Sequence, residues 1–295
     1  MKTITSVRAA QQAASALRRE GRRIGLVPTM GALHAGHAAL LRRARPLCDT
    51  LVVSVFVNPT QFGPTEDLAA YPRTPEHDAA VCAAAGADWL FCPSADEMYP
   101  PGHSVFVGEE QLSTGLCGAT RPGHFRGVLT VVAKLFHIVQ PDVAVFGQKD
   151  AQQARLIEQM ARDLNFPVAI VVAPTVREAD GLAMSSRNAY LSPAERQRAT
   201  CLYQSLCLAE RMYREGTRDA AAICAAMRRL IEATPNARIE YVAVVDHGTL
   251  KPVATIAAPA LIAVCVRLGR TRLIDNTIVS AGASDRAVPS ATAVP

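Results

Sequence analysis

Two histidines three positions apart follow an apolar run and a glycine turn. The run ends at Pro28, Gly31 lies in the turn, and His34-Ala35-Gly36-His37 opens a helix-like segment. The first backbone N–H groups of a helix have no partner within the helix, and the helix dipole favours an anion there. Residues three apart share one helical face, so both imidazoles can donate hydrogen bonds to a phosphate chain. The order of strand, small-residue turn and helix predicts a phosphate site; the alternative is two surface histidines beside a turn.

Two more polar clusters follow apolar runs. Asn58 and Gln61 follow one run, and Gly147-Gln148-Lys149-Asp150 follows another. Amide side chains suit a hydroxyl or a carboxylate, and Lys149 supplies a point charge for phosphates. Gln153, three residues after the second cluster, is expected on the helix face directed toward the same site. Turn formation and helix capping are the structural alternatives for the asparagine and the aspartate.

A polar loop further on carries phosphate-binding chemistry. Met184-Ser185-Ser186-Arg187-Asn188 holds two hydroxyls and a guanidinium, which can wrap a triphosphate. The alternative is an ordinary polar connection between domains. Together with the histidine tetrad, the loop indicates an enzyme that acts at the α-phosphate of a nucleotide. Gly123-His124-Phe125-Arg126-Gly127 either completes the nucleotide cleft or forms a tight turn.

The elements that must position these residues alternate between strand and helix. Near-continuous apolar runs, typical of strands buried on both faces, cover residues 24–28, 50–57, 89–92, 143–147 and 168–172. Helical patterns cover residues 6–20, 38–48, 75–85, 129–139 and 151–164. This alternation predicts an α/β fold with a Rossmann-like doubly wound parallel sheet, whose ligands bind outside the carboxyl ends of the strands.

The pattern changes near Val176. Two helical segments and two strands follow, at 193–214, 219–233, 239–245 and 261–268, and they predict a smaller α+β C-terminal domain. We therefore expect a Rossmann-like domain over residues 1–175, a second domain over 176–283 and a flexible tail over 284–295.

Composition excludes several classes of protein. The chain has 295 residues, 49% of them hydrophobic, and a net charge of +5, which argues against disorder and suits small anionic substrates. Scattered arginines and few aromatic residues disfavour nucleic-acid binding. The longest apolar stretch, 255–266, is too short to span a bilayer, and the first residues lack the apolar core of a signal peptide. Eight cysteines without a Cys-x-x-Cys pair indicate reduced thiols, so we expect a cytoplasmic protein without membrane contact.

Six motifs occur in the order found in the pantoate–β-alanine ligase family, which the chain resembles over about residues 1 to 280. They are Pro28-Thr29-Met30-Gly31-Ala32-Leu33-His34, Phe56-Val57-Asn58-Pro59, Tyr71-Pro72-Arg73-Thr74, Gly147-Gln148-Lys149-Asp150, Met184-Ser185-Ser186-Arg187-Asn188 and Thr271-Arg272-Leu273-Ile274-Asp275-Asn276. The resemblance implies that the carboxylate of pantoate attacks the α-phosphate of Mg-ATP. The products of this step are pantoyl adenylate and pyrophosphate. β-Alanine then attacks the adenylate, releasing pantothenate and AMP.

The resemblance also implies the site residues. ATP would be bound by Met30, Gly31, Ala32, Leu33, His34, Ala35, Gly36, His37, Gly147, Gln148, Lys149, Asp150, Val176, Met184, Ser185, Ser186 and Arg187. His34, His37 and Lys149 would be the catalytic residues, with His37 at the position of a proton donor. Gln61 and Gln153 would bind pantoate, and Gln61 would also contact β-alanine.

The family likeness further implies a homodimer, a C-terminal lid domain and Mg²⁺ bound with ATP. Two positions depart from the family pattern. Ala35 stands where glutamate is expected, and His77 precedes Asp78 where an acidic pair is common. Asp78 is therefore the one candidate side chain for the metal, which ATP oxygens and water can otherwise hold.

Two other functions stay open at this point. One is a different nucleotidyl-transferring enzyme, such as a cytidylyltransferase or a ligase related to aminoacyl-tRNA synthetases. Two features argue against the synthetase-like ligase: the presence of Gln61 and Gln153, and the lack of a recognisable tRNA-binding domain in the sequence. The other is a non-catalytic basic module that binds nucleic acid.

Overall fold

The chain divides into two units between Val176 and Arg177. The computed structural model describes residues 1–64 and 66–280. The predicted tail and the last residues of the predicted second domain, 281–283, lie outside the described residues. Within the described ranges, no helix is both long enough and apolar enough to cross a membrane.

The first unit alternates strands and helices. Its elements are β1 (Lys2–Ile4), α1 (Val7–Arg19), β2 (Ile24–Thr29), α2 (Ala35–Ala44), β3 (Thr50–Val55), α3 (Pro75–Ala84), β4 (Trp89–Phe91), α4 (Ala95–Met98), α5 (Leu116–Thr120), α6 (His124–Val139), β5 (Val143–Gly147), α7 (Ala151–Asp163) and β6 (Ala169–Ala173). Three short 3-10 turns add to these, at Arg45–Leu47, Pro59–Gln61 and Gln148–Asp150.

Six parallel strands form one sheet in the order β1-β4-β3-β2-β5-β6. The strands are apolar on both faces because helices cover both, as Ile24, Leu26 and Val27 of β2 show by their complete burial. The predicted Rossmann-like sheet is confirmed. From β2 the chain moves first to β3 on one side and later to β5 on the other. This reversal places the expected ligand crevice at the carboxyl ends of β2 and β5.

The strand β2 pairs with more residues of β3, on one side, than of β5, on the other. β2 pairs with β3 over all six of its residues, but its pairing with β5 covers only Gly25 and Leu26. The ladder between β2 and β5 therefore ends before the carboxyl ends of the two strands, where the ligand crevice is expected.

Several short elements of the first unit were not predicted. The strand β1 has three residues and α4 has four, which is too short for a periodic pattern.

The helix α6 was predicted, but it begins at His124, five residues before its predicted start. Gly123 adopts a left-handed conformation (φ 80°) that starts the helix abruptly.

The second unit packs helices on an antiparallel sheet. Its elements are α8 (Pro193–Arg198), α9 (Cys201–Arg214), α10 (Ala220–Glu232), β7 (Ala237–Asp246), β8 (Ala260–Leu268) and β9 (Thr271–Val279). The strand order is β7-β8-β9. Buried Leu202, Ile223 and Val264 belong to the hydrophobic core of this unit. The predicted helix over 193–214 is two helices, which separate at Ala199 and Thr200.

The strand β9 was not predicted because two polar residues, Asp275 and Asn276, interrupt its apolar pattern. Both are buried. Asp275 accepts hydrogen bonds from both terminal nitrogens of Arg177, at 2.6 and 3.1 Å, and its side chain is 1% exposed. Arg177 also donates to the carbonyl of Gly181 at 3.1 Å. This ion pair therefore ties the start of the loop that carries Ser185–Arg187 to the sheet.

Replacing Asp275 with alanine is expected to destabilise the second unit. The substitution leaves the Arg177 guanidinium partly buried without its counter-charge. Because Arg177 keeps about a quarter of its side chain exposed, we expect a loss of about 3 kcal/mol, the low end for breaking a buried pair. Chemical denaturation measures the loss. The exposed pair of Arg18 and Asp142 provides the control, since Arg18→Met should cost less than about 1 kcal/mol. Equal losses in the two variants would contradict the role given to Asp275.

Candidate active site

The two histidines after β2 cap the helix α2 reciprocally. Nδ1 of His34 accepts the backbone N–H of Gly36 at 3.1 Å, and Nδ1 of His37 accepts the backbone N–H of His34 at 3.3 Å. An imidazole nitrogen that accepts a hydrogen bond carries no proton, so each neutral ring has its proton on Nε2. Both rings therefore keep an Nε2–H donor in addition to the bond that orders them.

His37 is held in its neutral form. Burial is the largest cause, and the neighbouring His34 and Lys149 add to it, lowering the pKa of His37 from 6.5 to about 3. Asp150 opposes the shift. These interactions show that Lys149 and Asp150, which follow β5, lie within electrostatic reach of the histidine that follows β2. The structure thus brings these predicted site residues together at the crevice.

Asp78 fixes the turn between β2 and α2. Its carboxylate accepts the backbone N–H groups of Ala32 (3.1 Å) and Leu33 (2.8 Å) and the hydroxyl of Thr74 (3.1 Å). Gly31 has φ 86°, and a Cβ there would lie 2.9 Å from the Asp78 carboxylate. The contacts assign this carboxylate to the turn, and its role as a metal ligand stays a prediction that they do not favour.

Asn58 is a buried structural residue of the turn after β3. Its Oδ1 accepts the backbone N–H of Thr60 at 3.3 Å and the hydroxyl of Tyr99 at 2.8 Å. Its Nδ2 donates to the carbonyl of Gly127 and to Oε1 of Gln61, both at 3.1 Å. The two backbone contacts identify the oxygen and the nitrogen of the Asn58 amide. Because the Asn58 nitrogen donates to Gln61, the atom of the Gln61 amide that faces Asn58 is its oxygen.

Gln61 consequently has its amide nitrogen available on the other side. Nε2 of Gln61 lies 2.9 Å from the Sδ atom of Met30, directly after β2. A thioether is a weak acceptor, so an oxygen of a ligand can replace it at little cost. The structure therefore brings Gln61 to the same strand ends as Met30.

The end of β5 and the segment after it carry Gly147–Asp150 and Gln153. Nζ of Lys149 lies 3.5 Å from Oδ2 of Asp150, with 22% of the lysine side chain exposed. Gln153 lies in the first turn of α7 and is partly exposed. Its neighbour Gln152 is buried and anchors residues 112–117 through bonds to Cys117 N–H and to two backbone carbonyls. No sequence signal indicated the structural role of Gln152.

The predicted phosphate loop belongs to the second unit, and Val176 is the last residue of the first. Oγ of Ser185 accepts the backbone N–H of Arg187 at 3.2 Å and starts the 3-10 turn Ser186–Tyr190. Asn188 donates to Oε1 of Glu178 at 2.7 Å. The loop is thus ordered by its own side chains, and the ATP contacts of Met184–Arg187 stay predictions.

Sequence reasoning missed one polar network beside Gln61. His124, Arg121 and Glu66 are linked by hydrogen bonds that reach the Gln61 backbone carbonyl. The glycine-bracketed turn at 123–127 was the only sequence signal near it.

Comparison with known proteins assigns the family. The model of the family described as pantoate-beta-alanine ligase matches residues 2–278. The chain belongs to the pantoate–β-alanine ligase family. The predicted resemblance is confirmed, and with it the prediction that the chain is a ligase.

Similar proteins cover nearly the whole chain. A pantothenate synthetase from Heliobacterium modesticaldum is 56% identical over 279 residues, which are 95% of this chain and 99% of the relative. The crystal structure of pantothenate synthetase from Thermus thermophilus has a TM-score of 0.89 and 47% identity, covering 94% of this chain and 99% of that one. Pantoate-beta-alanine ligase from Francisella tularensis, complexed with beta-gamma ATP and beta-alanine, has a TM-score of 0.78 and 31% identity over 94% of this chain and 97% of that one.

The neutral state of His37 predicts a pH dependence of stability. Its folded pKa of about 3 lies below its usual 6.5, so between these values the unfolded chain binds a proton that the folded chain does not. Stability is therefore lost as the pH falls through this window. In His37→Asn this contribution is absent. The free energy of unfolding of the variant should fall less than that of the unmodified chain between about pH 7 and pH 4.5.

The measurement is denaturant unfolding at both pH values. His137→Asn serves as the control, because His137 is exposed on α6 and away from the helix cap. It should keep the pH dependence of the unmodified chain. The same loss of stability in His37→Asn as in the unmodified chain would contradict a neutral His37 in the folded protein.

Proposed function

We propose that this ligase condenses pantoate with β-alanine to give pantothenate, in two steps. The carboxylate of pantoate attacks the α-phosphate of ATP, forming pantoyl adenylate and pyrophosphate. The amine of β-alanine then attacks the acyl carbon, forming pantothenate and releasing AMP. Family membership supports the reaction. The structural observation that carries it is the convergence of His34, His37 and Lys149 at the carboxyl ends of β2 and β5.

The ATP site in this proposal is the β2–α2 turn with residues 147–150. The start of α2 offers a favourable dipole, and the Nε2–H groups of His34 and His37 offer two oriented donors. Lys149 adds a positive charge. These groups stabilise the charge that develops on the transferring phosphate, so catalysis needs no covalent bond to the protein. With its low pKa, His37 acts near pH 7 as a neutral hydrogen-bond donor.

The pantoate site is proposed around Gln61 and Gln153, with Gln61 also contacting β-alanine. The Nε2 group of Gln61 presents a donor next to Met30. A donor at that point suits a carboxylate or hydroxyl oxygen of pantoate. The buried Asn58 keeps that orientation, because its own amide is fixed by backbone groups.

Magnesium is proposed as a companion of ATP. In the parts of the chain that are described, no group of three His, Cys, Asp or Glu residues is arranged to hold a metal ion. Asp78 uses its oxygens for the backbone of the turn. The side chains in these parts of the chain therefore do not form a dedicated metal cage. Mg²⁺ prefers phosphate oxygens and water, which ATP and solvent supply.

Three further features of the family are proposed for this chain. They are a homodimer, a cytoplasmic location and a lid role for the second unit. Ser185, Ser186 and Arg187 would bind ATP phosphates, a proposal supported by their hydroxyl and guanidinium groups. Sedimentation analysis of the purified chain tests the dimer directly.

Pantoate-dependent exchange tests the order of the steps. If the carboxylate is activated first, labelled pyrophosphate should enter ATP when pantoate is present and β-alanine is absent. A kinase would release ADP instead of AMP, and a cytidylyltransferase would need CTP. Lys149→Ala should lower this exchange by about 10² to 10³, the scale for losing one transition-state donor.

Lys251→Ala is the matched control, because Lys251 is exposed in the second unit. It should exchange at the rate of the unmodified chain. If Lys149→Ala exchanged within a few-fold of that rate, with an unchanged melting temperature, Lys149 would have no part in adenylation. Absence of any pantoate-dependent exchange would overturn the proposed first step.

The pantoate site is tested by Gln61→Leu and Gln153→Leu. Each variant should raise the KM for pantoate by about tenfold or more and leave the KM for ATP nearly unchanged, because a substrate oxygen loses its donor. Steady-state kinetics with each substrate varied give both constants. Gln159→Leu, further along α7, is the control and should alter neither. Unchanged pantoate KM values in both test variants would place the pantoate site elsewhere.

A further inference from the structure

The first turn of α6 presses against the turn that carries Gln61. Gly127 has no side chain at the contact, where a Cβ would lie 2.3 Å from the carbonyl oxygen of Thr60. The carbonyl of Gly127 also accepts the Asn58 amide. The backbone of residues 58–61 is thus fitted closely to α6.

His124, the first residue of α6, bonds this turn at Gln61 itself. Its Nδ1 lies 2.8 Å from the Gln61 carbonyl oxygen, and its Nε2 lies 2.9 Å from Nη1 of Arg121. A carbonyl only accepts and a guanidinium only donates, so the proton of the neutral ring is on Nδ1. Burial and the charge of Arg121 lower the pKa of His124 to about 4. The ring therefore stays neutral near pH 7 and keeps this one orientation.

Arg121 is in turn held by Glu66. Nε and Nη2 of Arg121 bond the two carboxylate oxygens of Glu66 at 2.7 and 2.6 Å, and the backbone N–H of Gly63 donates to the same carboxylate at 3.2 Å. Burial opposes ionisation of Glu66, but its bonds to Arg121 outweigh this and lower its pKa to about 2. The Glu66 and Arg121 side chains are 23% and 13% exposed, so water screens the pair only partly.

We propose that Glu66, Arg121 and His124 are positioning residues for pantoate, acting through the Gln61 carbonyl. Glu66 orients Arg121, Arg121 orients the His124 ring, and His124 fixes the backbone from which the Gln61 amide extends. His124 makes the shorter bond to this carbonyl, at 2.8 Å, and Nη2 of Arg121 contacts the same oxygen at 3.4 Å. This inference rests on the proposed contact between Gln61 and pantoate.

The test compares His124→Leu with His124→Asn. Leucine fills the space without a donor, whereas the asparagine amide can take the place of Nδ1–H. His124→Leu should raise the KM for pantoate about tenfold, the cost of one lost hydrogen bond. The KM for ATP should stay unchanged. His124→Asn should restore most of the pantoate affinity, a rescue that a purely structural role does not predict.

Two variants complete the experiment. His137→Leu, at the other end of α6, should leave both KM values unchanged. Arg121→Met should raise the pantoate KM as His124→Leu does, and the double variant should show less than the product of the two effects, because both act through one contact. Arg121→Met also replaces His124→Leu as the test if the latter does not fold.

The outcomes separate this inference from the proposed pantoate site. If Gln61→Leu raises the pantoate KM and His124→Leu does not, the positioning role is wrong and the pantoate site stands. If neither variant changes it, both are wrong. A pantoate KM that rises in His124→Leu but not in Gln61→Leu would give His124 a direct contact and also overturn the inference. Equal loss in the leucine and asparagine variants, with ATP and pantoate affected alike, would show a structural role only.

Discussion

The paired hydrogen bonds between His34 and His37 at the start of α2 join local folding to chemistry. A helix start leaves N–H groups that need acceptors. Here two imidazole nitrogens accept them, and the same bonds place the remaining ring protons on Nε2. A serine or aspartate cap would satisfy the backbone equally well without leaving an additional N–H donor. The histidine cap therefore provides helix stability through Nδ1 and oriented donors through Nε2 of the same two rings.

Buried polar residues keep the rest of the site at fixed distances from this cap. Asp78 holds the turn before it, and Asn58 holds the turn that carries Gln61. Each makes two bonds to backbone groups, which belong to the turns themselves or to α6. Because a buried polar group without partners is costly, such residues admit few alternative arrangements. Two glycines, Gly31 and Gly127, make the close approaches possible.

Electrostatics gives the site neutral histidines beside lysine and arginine side chains. His37 lies near Lys149 and His124 near Arg121, and in both cases burial and the neighbouring cation disfavour a second positive charge. The positive charge closest to the histidine cap thus resides in Lys149, while the imidazoles contribute directed hydrogen bonds. Directed donors select geometry, whereas point charges act over a longer range.

The sequence by itself determined the fold class, the family and the segments that form the first unit's site. Apolar runs predicted the central strands because strands buried on both faces need them. The family resemblance marked His34, His37, Gln61 and Lys149, which lie in the segments that follow β2, β3 and β5. Their individual roles with ATP and pantoate stay predictions.

Only the tertiary structure decided which side chains support them. Arg121 and Glu66 are 55 positions apart, and His124 and Gln61 are 63 apart, so no local pattern reveals these bonds. The same holds for β9, whose apolar pattern is broken by a buried aspartate that pairs with Arg177 from 98 positions away. A buried polar residue looks like a surface residue in a sequence, because its partner comes from elsewhere in the chain. Folding alone brings the two together, and that is why the supporting contacts of this site could not be read in advance.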